Sequence, residues 1–164
     1  MKSLVVYSSQ TGNTKKLADA IYETLTGEKE IYSINDAPAP GGYDFVAVGF
    51  WLKAGKPDEK ASEYLENIGE KPLFLFATHG AAKNSMHAEN AMNQAKHLAS
   101  KAKVVGMYNC QGKVNPKIIE KVRDKPEPPV WLGDAPKADG HPDKSDIYEL
   151  KRIVSELKVF GGNI

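Results

Sequence analysis

The chain has 164 residues, with 22 basic and 21 acidic side chains for a formal charge of +1, and hydrophobic and charged fractions of 41% and 26%. That size suits one hydrophobic core and that composition suits a globular chain rather than a disordered one. The even charge argues against a nucleic-acid partner, the lone cysteine Cys110 excludes an internal disulfide and a cysteine-based zinc site, and no apolar run approaches the ~18 residues of a membrane span.

In chain order, Met1-Lys2-Ser3 leads into a strand-like segment without an apolar leader, so the expected location is the cytoplasm. Leu4 to Tyr7 is the first of the short apolar runs; Phe45 to Phe50, Leu73 to Ala77 and Val104 to Tyr108 follow. Runs of this length without alternation suit strands buried on both faces, as in a parallel sheet covered by helices. Glu30 to Ile34 alternates polar and apolar residues, as an edge strand does. Helical stripes lie between the runs: Leu17, Ile21 and Leu25; Ala61, Leu65 and Ile68; Ala88, Met92, Ala95 and Leu98 behind a Ser85 cap. Asn115-Pro116 opens the next helix, over Ile118, Ile119 and Val122, and Ile147, Leu150, Ile153, Val154 and Leu157 mark the last. Strands alternating with helices predict an α/β fold, a three-layer doubly wound five-stranded parallel sheet with right-handed crossovers. Residues 124–144, with Pro126, Pro128, Pro129, Pro136 and Pro142, are too proline-rich for regular structure. They are predicted as a loop insertion before the last helix of a single domain over 1–164. Such a loop is either functional or an elaboration.

The sharpest motif is Ser8-Ser9-Gln10-Thr11-Gly12-Asn13-Thr14, between the first strand and the first helix. Hydroxyls of Ser9, Thr11 and Thr14 can donate to phosphate oxygens, Gly12 permits close approach or positive φ, and the free N–H groups of a helix start favour an anion. No Gly-Lys-Ser/Thr end follows, and no Gly-x-Gly-x-x-Gly is present, so neither the nucleotide P-loop nor the dinucleotide fingerprint applies. A polar turn that only caps the helix would use the same residue types.

Val5-Val6-Tyr7-Ser8-Ser9-Gln10-Thr11-Gly12-Asn13-Thr14 resembles the flavodoxin signature: a strand, a hydroxyl residue, any residue, Thr-Gly-Asn-Thr, then a helix. Strand spacing and length are similar to a short flavodoxin over nearly the whole chain. The resemblance implies strand order 2-1-3-4-5 with FMN at the switch point. It implies a phosphate role for Ser9, Gln10, Thr11, Gly12, Asn13 and Thr14. It places the flavin ring between loops after the third and fourth strands, at Trp51, Leu52 and Lys53 and at Thr78, His79 and Gly80. Asn109, Cys110 and Gly112, after the fifth strand, would meet the pyrimidine edge.

Trp51 offers a π face for the ring, or packs on the core as strand-flanking aromatics do. Many flavodoxins carry Tyr or Trp in the second loop; here stand His79, Gly80, Ala81 and Ala82, so that side is open or His79 covers it. His79 serves equally as a residue satisfying loop backbone. Gly55 makes a peptide flip at Lys53-Ala54 or Ala54-Gly55 cheap, a family device for stabilising reduced flavin. Cys110 reads as a buried thiol, and His87 and His97 as surface residues of one helix.

The expected function is an FMN-binding electron-transfer flavoprotein shuttling electrons between redox protein partners, a reductase and an acceptor. It is expected to be a monomer without a nucleic-acid or membrane partner. The redox chemistry would belong to FMN, not to side chains. The alternative is an FMN-dependent oxidoreductase acting on a small molecule such as a quinone, or a flavin-donating partner of a larger reductase. A response-regulator module would need acidic residues where Ser8-Ser9 stand. Flavodoxins are typically acidic; here the charge is near neutral and Lys53, Lys56 and Lys83 lie in the candidate ring loops. A less negative potential for the second electron is therefore expected.

Overall fold

The computed structural model describes residues 1–159 and the backbone of 162–163. The elements run β1 (Lys2–Tyr7), α1 (Asn13–Thr24), β2 (Glu28–Ser33), β3 (Phe45–Lys53), β4 (Lys56–Pro57), α2 (Glu59–Glu66), β5 (Pro72–His79), α3 (Met86–Leu98), β6 (Lys103–Gln111), α4 (Pro116–Arg123), α5 (Lys144–Ser155), β7 (Lys158–Val159) and β8 (Gly162–Asn163). The long strands pair in parallel in the order β2-β1-β3-β5-β6, which is the predicted 2-1-3-4-5. Short β4 adds an antiparallel sixth strand on β3, and β7 and β8 form a separate pair. No helix among the described residues is long and apolar enough to cross a membrane.

The apolar runs are continuous because both faces of the sheet are covered. Successive side chains of a strand point to opposite faces. Val5, Ala47, Phe74 and Phe76 face Leu17 and Ile21 of α1 and Leu150 and Val154 of α5. Leu4, Val6, Val46, Val48, Leu73 and Leu75 face Leu65 of α2 and Met92 and Ala95 of α3. Side chains cap α2, α3, α4 and α5: Asp58, Ser85, Asn115 and Asp143 each accept a backbone N–H of the first turn. By contrast, Ile118, Ile119 and Val122 of α4 belong to neither core cluster.

Three strand ends run further than the sequence suggests. β3 continues through Trp51, Leu52 and Lys53 because β4 folds back on it, pairing Lys53 with Lys56. Ala54 (φ 52°) and Gly55 (φ 76°) form the two-residue turn between them. Positive φ at both central positions matches the right-handed twist of a tight hairpin. β5 takes in Thr78 and His79, and β6 takes in Asn109 and Cys110. These predicted loop residues therefore sit on rigid strand ends. Within the proline-rich segment the chain makes short 3₁₀ turns at Val130–Gly133 and Ala135–Ala138.

Candidate functional site

The turn from β1 into α1 is held from below. The Ser8 amide donates to the Gly49 carbonyl at 2.9 Å, and its hydroxyl donates to Asp58 Oδ1 at 2.8 Å. Ser9 Oγ accepts the Gly12 amide at 3.1 Å, and Asn13 Nδ2 donates to the Lys113 carbonyl at 3.0 Å. Gly12 is the N-cap of α1, at φ 90°, and the first turn carries no acidic residue. The first intrahelical bond is Lys16 N–H to Gly12 O, at 3.1 Å. The amides of Asn13, Thr14 and Lys15 precede it and have no intrahelical acceptor. Gly12 has no side chain to cover them, whereas α2 to α5 are each capped by one. Helix dipole and free donors together favour an anion at this point.

Thr14 departs from expectation. Its hydroxyl, 1% exposed as a residue, lies 2.8 Å from Thr78 Oγ1 and 3.5 Å from the Phe50 carbonyl. The side chain ties the loop to β3 and β5, leaving the Thr14 amide as the freer donor.

Above this loop lies a cavity of about 500 Å³. Ser9, Gln10, Thr11, Asn13 and Thr14 line one end; Trp51, Leu52, Lys53, Ala54 and Gly55 line the hairpin side; Thr78, His79 and Gly80 line the end of β5. Gly112, Lys113 and Val114 close the β6 side, and Ile118, Val122, Pro129, Val130 and Trp131 form a roof. Among the described residues no Asp or Glu lines it, while Lys53, Lys113 and Lys125 do. A volume of several hundred Å³ with apolar walls and few polar groups is typical of a cofactor site.

An aromatic side chain, Trp131, reaches the cavity from the roof. A Cβ on Gly80 would lie 2.5 Å from Val114 Cγ2 and 3.2 Å from Trp131 Cε3, so the indole rests against the end of β5. His87, expected at the surface, is half-buried and lines the cavity from the first turn of α3. A Cβ on Gly55 would lie 3.3 Å from its Cε1.

Several predicted site residues lie off the cavity or engage other protein groups. Gly12, Asn109 and Cys110 are absent from the cavity lining. Cys110 is buried in β6, and desolvation pushes its thiol pKa far up, so it is an inert core residue. Asn109 acts one layer out, its Oδ1 lying 2.9 Å from His79 Nε2. His79 does not cover an open side; it is 7% exposed and held in place by Asn109 and by the Ala81 carbonyl at 3.0 Å. Lys83 turns away to pair with Glu149 and lies 4.8 Å from the centre of the Tyr108 ring. Lys53 pairs with Glu59 at 3.0 Å. His141, Asp143 and Asp146 cluster at the start of α5, where the two carboxylates form a reciprocal cap and His141 Nδ1 meets Asp146 Oδ2 at 2.6 Å.

A family model described as a flavodoxin domain matches residues 4–155. The chain belongs to the flavodoxin family. It is 32% identical, over 97% of both chains, to the flavodoxin-like domain-containing protein BilS of Clostridioides difficile strain CD3. Among solved structures, oxidised flavodoxin 2 of Bacillus cereus has 18% identity and a TM-score of 0.59, over 93% of this chain and 94% of that one. A Lactobacillus acidophilus flavoprotein solved in complex with FMN has 17% identity and a TM-score of 0.54, over 66% of this chain and 92% of that one. These distant likenesses concern the fold. Val114, Trp131 and Ile118 and Val122 of α4, together with His87 and Lys113, line the cavity but were not singled out from sequence as site residues. The signal available in sequence was an apolar Val130-Trp131-Leu132 run among prolines, since no periodicity marks a 3₁₀ turn.

Proposed function

We propose that this protein binds one FMN and carries electrons between redox proteins, as a monomer in the cytoplasm. One observation carries the reading: the uncapped N-terminus of α1 opens into a cavity that no carboxylate lines among the described residues. A phosphate fits the free amides of Asn13, Thr14 and Lys15, with the Ser9 and Thr11 side chains beside them. An isoalloxazine ring fits between the indoles of Trp51 and Trp131, both half-buried and both lining the cavity. Bound FMN supplies reversible one- and two-electron redox chemistry; the protein binds, orients and sets the charge around it.

The chain's own residues have definite tasks in this reading. Ser8–Asp58 and Thr14–Thr78 lock the phosphate loop to the strands that carry the ring walls. The Ala54-Gly55 turn lines the cavity, and the conformational freedom of Gly55 lets the peptide between them reorient beside the ring. Lys125 places positive charge at the cavity, with Lys113 beside it paired to Asp139 at 3.4 Å and Lys83 engaged by Glu149, and this charge favours a less negative potential for the second electron. The single buried thiol suits a reducing compartment.

A second reading has its own support. The apolar stripe of α4 is left out of both cores and faces the cavity through Ile118 and Val122. Such a roof fits a small apolar molecule reduced directly on the ring. Stopped-flow mixing of the FMN-loaded protein with NAD(P)H separates the two. The carrier reading predicts reduction only when a reductase is added, and rapid direct oxidation of NAD(P)H would refute it.

A further inference from the structure

His79 sits between two oxygens whose positions are fixed. Asn109 Oδ1, 2.9 Å from Nε2, also accepts the Asn84 backbone amide at 3.2 Å. Asn109 Nδ2 donates to Asn84 Oδ1 at 3.0 Å. A backbone N–H cannot reverse, so exchanging the amide oxygen and nitrogen of Asn109 would set donor against donor. The oxygen therefore faces the imidazole. On the other edge the Ala81 carbonyl faces Nδ1 at 3.0 Å. Both contacts are hydrogen bonds only when each ring nitrogen carries a proton, that is, when His79 is an imidazolium.

Burial opposes that charge, and His87 opposes it too, so His79 is held below the usual histidine range despite two acceptors that raise it. Its second proton is weakly held in a site built to receive it. Nε2 is the labile position, because Asn109 Oδ1 is shared with the Asn84 amide while the Ala81 carbonyl serves Nδ1. The charged and titratable groups around this corner are His87 on α3 and Lys83 of the same loop, which is engaged by Glu149 of α5. Asp134 of the roof segment accepts the Ala82 amide, and Cys110 of β6 is a neutral buried thiol. None of these places an unpaired negative charge on His79.

We infer that His79 is the proton-coupled residue of the pocket: it binds a proton at Nε2 as the flavin beside it gains negative charge. The inference rests on the FMN reading above. In the second one-electron step, which leaves the bound ring with a negative charge, the electron arrives from a reduced redox protein, one solvent proton binds Nε2, and no other bond forms or breaks. An anion in the cavity raises the proton affinity of His79, and by linkage the protonated His79 raises the flavin potential. The contribution is present below the midpoint of the reduced state and vanishes above it. Between the oxidised-state and reduced-state midpoints the one-electron equilibrium changes tenfold per pH unit, about 59 mV.

The test has two arms. In the apoprotein, ¹⁵N NMR of the imidazoles, assigned with His79→Gln, should show neutral His79 with its proton on Nδ1 and the second proton entering at Nε2 as pH falls. Asn109→Asp should move the midpoint of that step upward. A neutral state with its proton on Nε2, or a second proton entering at Nδ1, would overturn the inference. In the FMN-loaded protein, full reduction should raise the His79 midpoint, and the second-electron potential of wild type should show a pH slope that His79→Gln loses. Equal midpoints in the two redox states, or equal slopes in the two proteins, would overturn it. Failure to take up FMN would sink the reading beneath it, while the apoprotein spectra would still decide the protonation of His79.

Discussion

Replacing Trp131 by Ala tests the roof. Trp131 is half-buried, lines the cavity and rests against Gly80 at the end of β5. One face of an indole covering a flavin ring removes on the order of 100 Å² from water, worth ~2.5 kcal/mol at ~25 cal/mol per Å². Aromatic stacking adds ~1 kcal/mol, and ordering the roof takes back a similar amount. The expected loss is ~1.5–3 kcal/mol, or roughly 10- to 150-fold in FMN affinity. Fold stability should change little, because Trp131 belongs to neither core cluster. Fluorescence titration of apoprotein with FMN reads the affinity, and urea unfolding of the apoprotein reads the stability. Trp51→Ala, run beside it, should weaken binding to a comparable extent. An unchanged affinity in Trp131→Ala, with Trp51→Ala impaired, would refute the two-walled ring site.

The two threonines of the phosphate loop should separate. Thr14→Val leaves the buried Thr78 hydroxyl without its 2.8 Å partner and should lower unfolding stability by ~1–3 kcal/mol, whereas exposed Thr11→Val should alter FMN affinity alone. Glu30, held down to about 2 from 4.5 by Tyr43, Lys2 and Tyr32, contributes stability that is present above pH 4.5 and lost as pH falls toward 2. Urea midpoints at pH 7 and pH 3 should therefore differ less in Glu30→Gln than in wild type; an equal difference would refute this assignment. Cys110 should react with iodoacetamide at pH 8 only after denaturation, since its buried thiol is held neutral; rapid labelling of the native protein would contradict its place in the core.

The strands and the 8–14 strand-to-helix turn were legible in sequence for a shared physical reason: both are local. A run such as Phe45 to Phe50 is apolar throughout because helices cover both sheet faces, and the hydroxyl-rich 8–14 turn needs only its own neighbours to declare itself. What sequence left obscure depends on partners distant along the chain. β3 reaches Lys53 only because a hairpin returns through Ala54, a residue with no intrinsic preference for φ 52°. The state of His79 is set by Asn109, thirty residues on, and Lys83 leaves the ring loop for Glu149 of the last helix. Trp131 reaches the cavity from a proline-rich turn with neither helical nor strand periodicity.

The central claim is an anion cradle at the start of α1, and comparing FMN with riboflavin tests it most directly. The two ligands share the ring and differ in the phosphate alone. Two charge-assisted bonds to the free amides, at ~1.5–3 kcal/mol each, predict that the apoprotein takes up one FMN per chain and binds riboflavin ~10²- to 10⁴-fold more weakly. Equal affinity for the two, or no uptake of either, would contradict the account.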